Sequence, residues 1–135
     1  EKNKTYKDLN SEDYRITSKV GTTGEFVARK LIAKAQYHGY DNEPEAVLDV
    51  VNGKADAFIY DSPYNVVAVD KVGNGKLVYL DEPFTYEPLA FGLKKGDYDS
   101  LNFINNFLRQ AREDGSYDRI HKKWFVNKNW LNEMQ

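Results

Sequence analysis

The sequence YRITSKVGTTGEFVARKLIA at residues 14–33 changes from an alternating pattern to a helical one within a few positions. Residues 14–20 (YRITSKV) alternate in part and are rich in β-branched side chains, which predicts a β-strand. After the small-residue loop GTTG, apolar side chains recur at helical spacing, which predicts an amphipathic helix over residues 26–37. His38 follows this helix, and Gly39 is a natural C-terminal cap for it. The stretch therefore predicts one strand–loop–helix unit of an α/β protein.

The alternation of strands and helices continues along the rest of the chain. The run ADAFIY at residues 55–60 is typical of a strand that is buried on both faces of a parallel sheet. Further strands are predicted at residues 77–80 and 89–93. Further helices are predicted from residue 42 to 49 or 50, from 61 to about 70, and over 98–113 and 117–125. The pattern predicts an α/β fold of three layers, with a mostly parallel sheet covered by helices on both sides.

The amino-acid composition argues against several classes of function. The chain has 135 residues, of which 41% are hydrophobic and 30% charged, and this is ordinary for one globular domain. Its net charge is −2 with both signs well mixed, which argues against nucleic acid as a partner. Cysteine is absent, which excludes disulfides, thiolate catalysis and thiolate metal sites. No run approaches the roughly 20 apolar residues that a membrane helix needs.

The loop Gly21-Thr22-Thr23-Gly24 is a candidate anion site because it leads directly into a helix N-terminus. Backbone N–H groups and the positive end of the helix dipole favour a negative ligand such as a carboxylate. The two threonine hydroxyls are further donors, and Gly24 permits a close approach to the backbone. A purely structural alternative is that Thr22 or Thr23 caps the helix. The loop lacks the lysine of a phosphate-binding loop, which argues against nucleotides.

Asp61 is the second candidate because it directly follows the predicted strand that ends at Tyr60. Ligands of open α/β sheets gather beyond the carboxyl ends of the strands, where a carboxylate can hold an ammonium group. The alternative is again a helix cap, since Ser62 and Pro63 resemble a helix start. Taken together, anion donors and an ammonium acceptor match the two backbone groups of a free α-amino acid.

Catalysis, metal binding and cofactor binding have little support in the sequence. His38 and His121 stand alone, without further ligands at metal-binding spacing. No Ser–His–Asp arrangement or carboxylate pair can be argued from spacing. We therefore expect no catalytic residue, no metal and no cofactor.

Several spaced motifs together resemble one family of proteins. The order is a strand, GTTGE, a helix, AVLDVVNGKADAFIYDSP, LAFGLKKGD and FLRQAREDGSYDRIHKKWF, from about residue 6 to residue 125. This order resembles the family 3 periplasmic solute-binding proteins, which serve amino-acid importers of the ABC class. The resemblance implies a Venus-flytrap architecture, in which two α/β lobes joined by hinge strands close on a ligand.

The resemblance also implies a place in that architecture. Residues 1–92 correspond to the second lobe, and residues 93–135 to a C-terminal helical segment that packs on the first lobe in the family. The first lobe, with its arginine for the ligand carboxylate, has no counterpart in this sequence. By position, the amides of Thr23 and Gly24 are expected to meet the carboxylate, with the hydroxyls of Thr22 and Thr23 in support. Asp61 is expected to take the ammonium, and Tyr60 to contact the ligand side chain.

The expected partners follow from the same resemblance. They are a free, polar amino acid and the membrane permease of an ABC importer, with the protein periplasmic or extracellular and membrane-anchored. Because the C-terminal helices carry apolar residues that need cover, a homodimer through these helices is a further expectation. Two alternatives stay open: the ligand-binding lobe of a ligand-gated channel or sensor kinase, and an interaction domain of the same fold that binds no ligand.

Overall fold

The structure, a computed structural model, describes residues 5–80, 82–126 and 130. In chain order its elements are β1 (Arg15–Lys19), α1 (Thr23–Leu31), β2 (Gln36–Tyr40), α2 (Glu43–Val51), β3 (Ala57–Phe58), α3 (Ser62–Lys71), α4 (Tyr98–Glu113) and α5 (Ser116–His121). A 3-10 turn at Tyr6–Leu9 precedes β1, and a π-helical turn at Lys122–Val126 follows α5. Among the described residues the strands form one sheet in the order β2-β1-β3, with both pairings parallel. The predicted α/β class with a parallel sheet is confirmed.

Helices cover both faces of the central strand β1. Ile16 points to one face, where it forms a buried cluster with Ala28 and Ile32 at the α1 side. Thr17 points to the other face, where its hydroxyl donates to the carbonyl oxygen of Ala46 in α2 at 3.1 Å. Because consecutive strand residues point to opposite faces, α1 and α2 lie on opposite sides of the sheet. This arrangement gives the three layers that the alternating pattern predicts.

The prediction of a helix over residues 26–37 was wrong at its C-terminal end. Helix α1 ends at Leu31, and β2 contains both His38 and Gly39, so Gly39 is no helix cap. Hydrogen bonds distant in sequence decide this, because the N–H of Lys34 donates to Asn10 at 3.0 Å and that of Gln36 to the Tyr14 carbonyl at 2.8 Å. These bonds place the segment beside β1, where a strand satisfies its backbone and a helix does not.

The strand predictions were only partly correct. Residues 55–60 pair with β1 as predicted, but β3 lies at a sheet edge and its side chains are half-buried, not enclosed on both faces. Within the described part of the chain, residues 77–80 and 89–93 form no strand, and Val78 and Leu89 are 82% and 97% exposed. A β-rich composition expresses only a local preference, and a strand needs a neighbour to complete its hydrogen bonds.

Contacts divide the chain into two compact units, Glu1–Thr85 and Tyr86–Gln135. In the second unit, α4 matches the predicted helix over residues 98–113, and Asp97 caps it by accepting from the Ser100 N–H at 3.0 Å. The predicted helix over residues 117–125 is α-helical only as far as His121 and continues as the π-helical turn. The boundary at residue 92 between two functional segments stays a prediction.

One backbone contact fixes α1 against β3. A Cβ atom built on Gly24 would lie 2.5 Å from the carbonyl oxygen of Ile59 and 3.4 Å from the Cβ of Ser18. A real Cβ cannot occupy that space without moving backbone atoms. Gly24 therefore lets the first turn of the helix approach the end of the third strand, a packing role that the sequence alone did not reveal.

We predict that Gly24→Ala destabilises the α/β unit by about 1–3 kcal/mol, the usual effect of an added group in a filled space. Chemical denaturation followed by circular dichroism measures the change. Gly92→Ala is the matched control, because no atom lies within 4 Å of a Cβ built there. Equal stability of the two variants would contradict the proposed close packing.

Candidate functional site

The structure brings both predicted site segments to the carboxyl edge of the sheet. The loop at Gly21–Gly24 follows β1, and Tyr60 and Asp61 follow β3, which pairs in parallel with β1. Gly24 approaches the carbonyl of Ile59, which precedes Tyr60 by one residue and Asp61 by two. The N-terminus of α1 and the segment that carries the acidic side chain therefore lie at the same edge of the sheet.

Neither threonine of the loop caps α1 with its side chain. Thr22 is the N-cap residue by position, but its hydroxyl donates back to the Lys19 carbonyl at 2.7 Å and makes no capping bond. Thr23, the first helical residue, is exposed. The first amides of a helix have no acceptor within the helix itself. The amides that begin α1 are therefore suited to an anion from outside the chain.

Glu25 takes part in this loop, although the sequence analysis did not select it. Its carboxylate accepts from the Gly21 N–H at 2.8 Å and from Arg29 Nε at 3.0 Å. The Gly21 N–H, followed by the Arg29 guanidinium, holds the pKa of Glu25 below its usual value. An acidic residue at the third helical position was an available signal, because such a residue often reaches back to the preceding backbone.

Asp61 occupies the N-cap position of α3, yet its side chain makes no capping hydrogen bond there. The residue is exposed at the sheet edge. Helix capping, the structural alternative for this residue, therefore does not engage its carboxylate. An exposed carboxylate beside free helix donors can accept from an ammonium while the donors hold a carboxylate.

Tyr60 lies in a small aromatic cluster. Its ring stacks on Phe58 with centroids 5.7 Å apart and meets Tyr64 edge-on at 5.3 Å. Its hydroxyl donates to Glu43 Oε1 at 2.7 Å. That hydrogen bond, followed by burial and the negative charge of Glu43, raises the pKa of Tyr60 to about 12. The phenol is therefore protonated at neutral pH.

Glu43 and Lys19 are site-edge residues that sequence reasoning missed. Lys19 ends β1 and Glu43 begins α2, and Lys19 Nζ lies 3.0 Å from the same Oε1 atom that accepts from Tyr60. The Tyr60 hydrogen bond, with smaller contributions from the Glu43 backbone and Lys19, lowers the pKa of Glu43 to about 2. An acidic residue in the first turn of a helix ordinarily complements the dipole, so its sequence position gave no sign of a partner across the sheet.

A cavity of about 220 Å³ lies beside β3 within the first unit. Among the described residues its lining includes Tyr60 and Asn65 but not the threonines of the loop or Asp61. The Asn65 amide donates to the Tyr60 carbonyl at 2.7 Å, which holds α3 against the end of β3. The cavity is mainly apolar, so the polar groups at the sheet edge are the better candidates for a ligand with charged ends.

The described ranges contain neither a metal-ligand cluster nor a membrane-spanning helix. No three His, Asp or Glu residues group there as metal ligands. His38 is an exposed strand residue packed edge-on to Tyr40, and His121 stacks between Tyr117 and Phe125. In the same residues no helix combines the length and apolar character needed to cross a membrane.

Residues 10–127 match the family model of the bacterial extracellular solute-binding proteins, family 3. The chain is 30% identical over 110 residues to the ABC transporter glutamine-binding protein GlnH of Bacillus subtilis, an alignment covering 82% of this chain and 40% of that protein. The chain spans only 40% to 46% of the first curated relatives that it matches.

Solved structures agree with this match. A binding component of an ABC transporter from Wolinella succinogenes, complexed with lysine, is 47% identical with a TM-score of 0.83, over 96% of this chain and 56% of that one. An ancestral cationic amino acid solute-binding protein is 42% identical with a TM-score of 0.77, over 93% and 53% of the two chains. The resemblance inferred from the sequence motifs is confirmed.

We predict that Glu43 contributes to the acid sensitivity of the fold. Its folded pKa of about 2 lies below the ordinary value of 4.5, so its stabilising effect is present above about pH 4.5 and is lost as the pH falls toward 2. Glu43→Gln should therefore lose less stability than the wild type between about pH 5 and about pH 3 in urea unfolding. Glu45→Gln, in the same helical turn, should keep the wild-type dependence. An equal loss of stability over this pH range in the wild type and both variants would contradict the assignment of the effect to Glu43.

Proposed function

Because the chain belongs to the bacterial extracellular solute-binding proteins of family 3, we propose that it forms one side of a binding site for a free amino acid. The observation that carries this proposal is the close approach of Gly24 to the carbonyl of Ile59, which brings the start of α1 to the chain segment that leads into Asp61. Those two features are complementary to the two charged groups that every α-amino acid carries at neutral pH.

Within this site each group has a separate role. The amides of Thr23 and Gly24 hold the ligand carboxylate, and the exposed hydroxyl of Thr23 supports them. The Thr22 hydroxyl, which the sequence also proposed as a donor, is already used in its hydrogen bond to the Lys19 carbonyl. Asp61 accepts from the α-ammonium. Tyr60 contacts the ligand side chain, at the end of the strand that leads to Asp61.

A basic side chain is the class of ligand that the site supports best. Of the two solved structures compared above, one contains lysine and the other is described as cationic amino acid binding. In this chain, the ring faces of Tyr60, Phe58 and Tyr64 provide negative potential that attracts a cation. A carboxamide side chain, as in the glutamine-binding relative, is the competing outcome.

The proposed physiological role is delivery of the amino acid to the membrane permease of an ABC importer. The glutamine-binding relative and the structure complexed with lysine are both described as belonging to ABC transporters. We propose accordingly that the chain binds its ligand without catalysing a reaction. Its proposed location is outside the cytoplasm, either periplasmic or extracellular and anchored to the membrane.

A second proposal concerns the helices of the Tyr86–Gln135 unit, which we expect to form a homodimer. Large apolar side chains on this unit are 46–74% exposed, namely Phe103, Phe107, Ile120, Trp124 and Phe125. Apolar patches of this kind mark interaction surfaces when they are continuous. A second copy is the simplest partner for such a face in the isolated chain.

We predict that Asp61→Asn abolishes most of the binding to L-lysine, weakening it at least about tenfold because a charge-assisted hydrogen bond to the ammonium is lost. Amide-resolved NMR titration measures the affinity, with wild-type shifts expected at residues 21–25 and 60–62. Asp41→Asn removes the same charge from another loop of this edge and should leave the affinity unchanged. Shifts with glutamine but not lysine would change the ligand class, and no shifts with any amino acid would favour an interaction domain.

For the dimer, we expect light scattering at high protein concentration to give twice the monomer mass. Ile120→Glu combined with Phe125→Glu should return the monomer, because buried charges oppose association. Val78→Glu is the control, since Val78 is 82% exposed in the other unit. A monomer mass for the wild type would refute the dimer and leave the amino-acid site untouched.

A further inference from the structure

The three side chains of Lys19, Glu43 and Tyr60 come from three different elements and meet at one oxygen atom. Lys19 is the last residue of β1, Glu43 is the first of α2, and Tyr60 follows β3. Glu43 Oε1 lies 2.7 Å from the Tyr60 hydroxyl and 3.0 Å from Lys19 Nζ. The carboxylate therefore links the ends of two strands to the start of a helix.

Helix capping does not explain where the Glu43 carboxylate lies. The N-cap of α2 is Asn42, whose side chain already accepts from the Glu45 N–H at 3.1 Å. The Glu43 side chain is only 19% exposed and points toward Lys19 and Tyr60. Its position is thus determined mainly by the sheet edge, although the Glu43 backbone N–H also donates to the carboxylate.

Besides this carboxylate, two aromatic side chains among the described residues contact the Tyr60 ring. Stacking on Phe58 and the edge contact with Tyr64 restrain the ring plane but do not hold the hydroxyl. A hydrogen bond to an ionised acceptor is stronger than a neutral one and has a defined direction. Lys19, in turn, restrains the acceptor, so the ring is oriented before any ligand arrives.

We propose that Glu43 is a positioning residue of the amino-acid site, which fixes the Tyr60 ring in the orientation that receives the ligand side chain. This inference rests on the proposed function, because it assumes that Tyr60 lines the ligand. Preorganisation of a contact improves affinity by removing the entropy loss of ordering it at binding. Glu43 acts through Tyr60 and need not touch the ligand itself.

The test compares Glu43→Ala with Glu45→Ala, which removes the same side chain from the same helical turn. L-lysine is titrated into each protein by NMR, and we expect Glu43→Ala to weaken binding about three- to tenfold, as for the loss of one hydrogen-bonded contact. Glu45→Ala should bind as the wild type does. Tyr60→Phe removes the donor of the same hydrogen bond and should weaken lysine binding to the same extent. Adding Glu43→Ala to Tyr60→Phe should cause no further loss of affinity.

A second readout separates positioning from general damage to the fold. In protein carrying ring-¹³C tyrosine, the Tyr60 signal, assigned through Tyr60→Phe, reports ionisation of its phenol. The charged or titratable groups that act on this phenol are Glu43, Asp61 and Tyr64, and Lys19 is bonded to Glu43. We expect the Tyr60 pKa to fall from about 12 toward the ordinary 10.0 in Glu43→Ala and to stay near 12 in Glu45→Ala.

The outcomes distinguish this inference from the proposed function. If the wild type binds lysine and Glu43→Ala binds equally well, the positioning role is overturned and the proposed function stands. The positioning role is also overturned, with the proposed function intact, if Glu43→Ala weakens lysine binding further in the Tyr60→Phe background. It is overturned likewise if the Tyr60 pKa does not change in Glu43→Ala. If the wild type binds no amino acid, the proposed function fails, and the positioning role fails with it.

Discussion

The contact between Gly24 and the Ile59 carbonyl is the constraint on which the geometry of the site depends. It sets how closely α1 approaches the end of β3, and a side chain of any size would separate them. Because α1 begins at one loop and Asp61 follows the other, the same contact sets the spacing between helix donors and the acidic group. Packing and the geometry of the proposed ligand site thus depend on the same glycine, because only a residue without a Cβ fits beside the Ile59 carbonyl.

Local sequence patterns were sufficient where local interactions decide the structure. Residues 14–20 pair as a strand, α3 starts beside Pro63, and α4 matches its predicted range because a capping residue and an apolar stripe mark it. The candidate site residues were selected because strand ends of a parallel sheet are where ligands bind, and the structure places them at that edge. Their contacts with a ligand stay a prediction. The α/β class and the family resemblance followed from the order of these elements.

The features that could not be predicted depend on residues far apart in the chain. The first two residues of β2 were assigned to a helix and the rest to its end, because the hydrogen bonds that join residues 34–36 to residues 10–14 leave no trace in the local composition. The segment at residues 77–80 has a strand-like composition, yet composition carries no information on whether a partner strand is available. Glu43 was overlooked for the same reason, since Lys19 and Tyr60 are 24 and 17 residues away from it.

The order β2-β1-β3 has a further consequence for the behaviour of the polypeptide in concentrated solution. Within the described residues both outer strands pair on one side only, and their other sides are templates for intermolecular pairing and hence aggregation. β3 pairs over just two residues, which limits the length of any such template. β2 is longer, but Gly39 and the polar Gln36 and His38 lower its tendency to form sheets with other copies. The composition that kept β2 from being predicted as a strand therefore also lowers the tendency of the chain to aggregate through this edge.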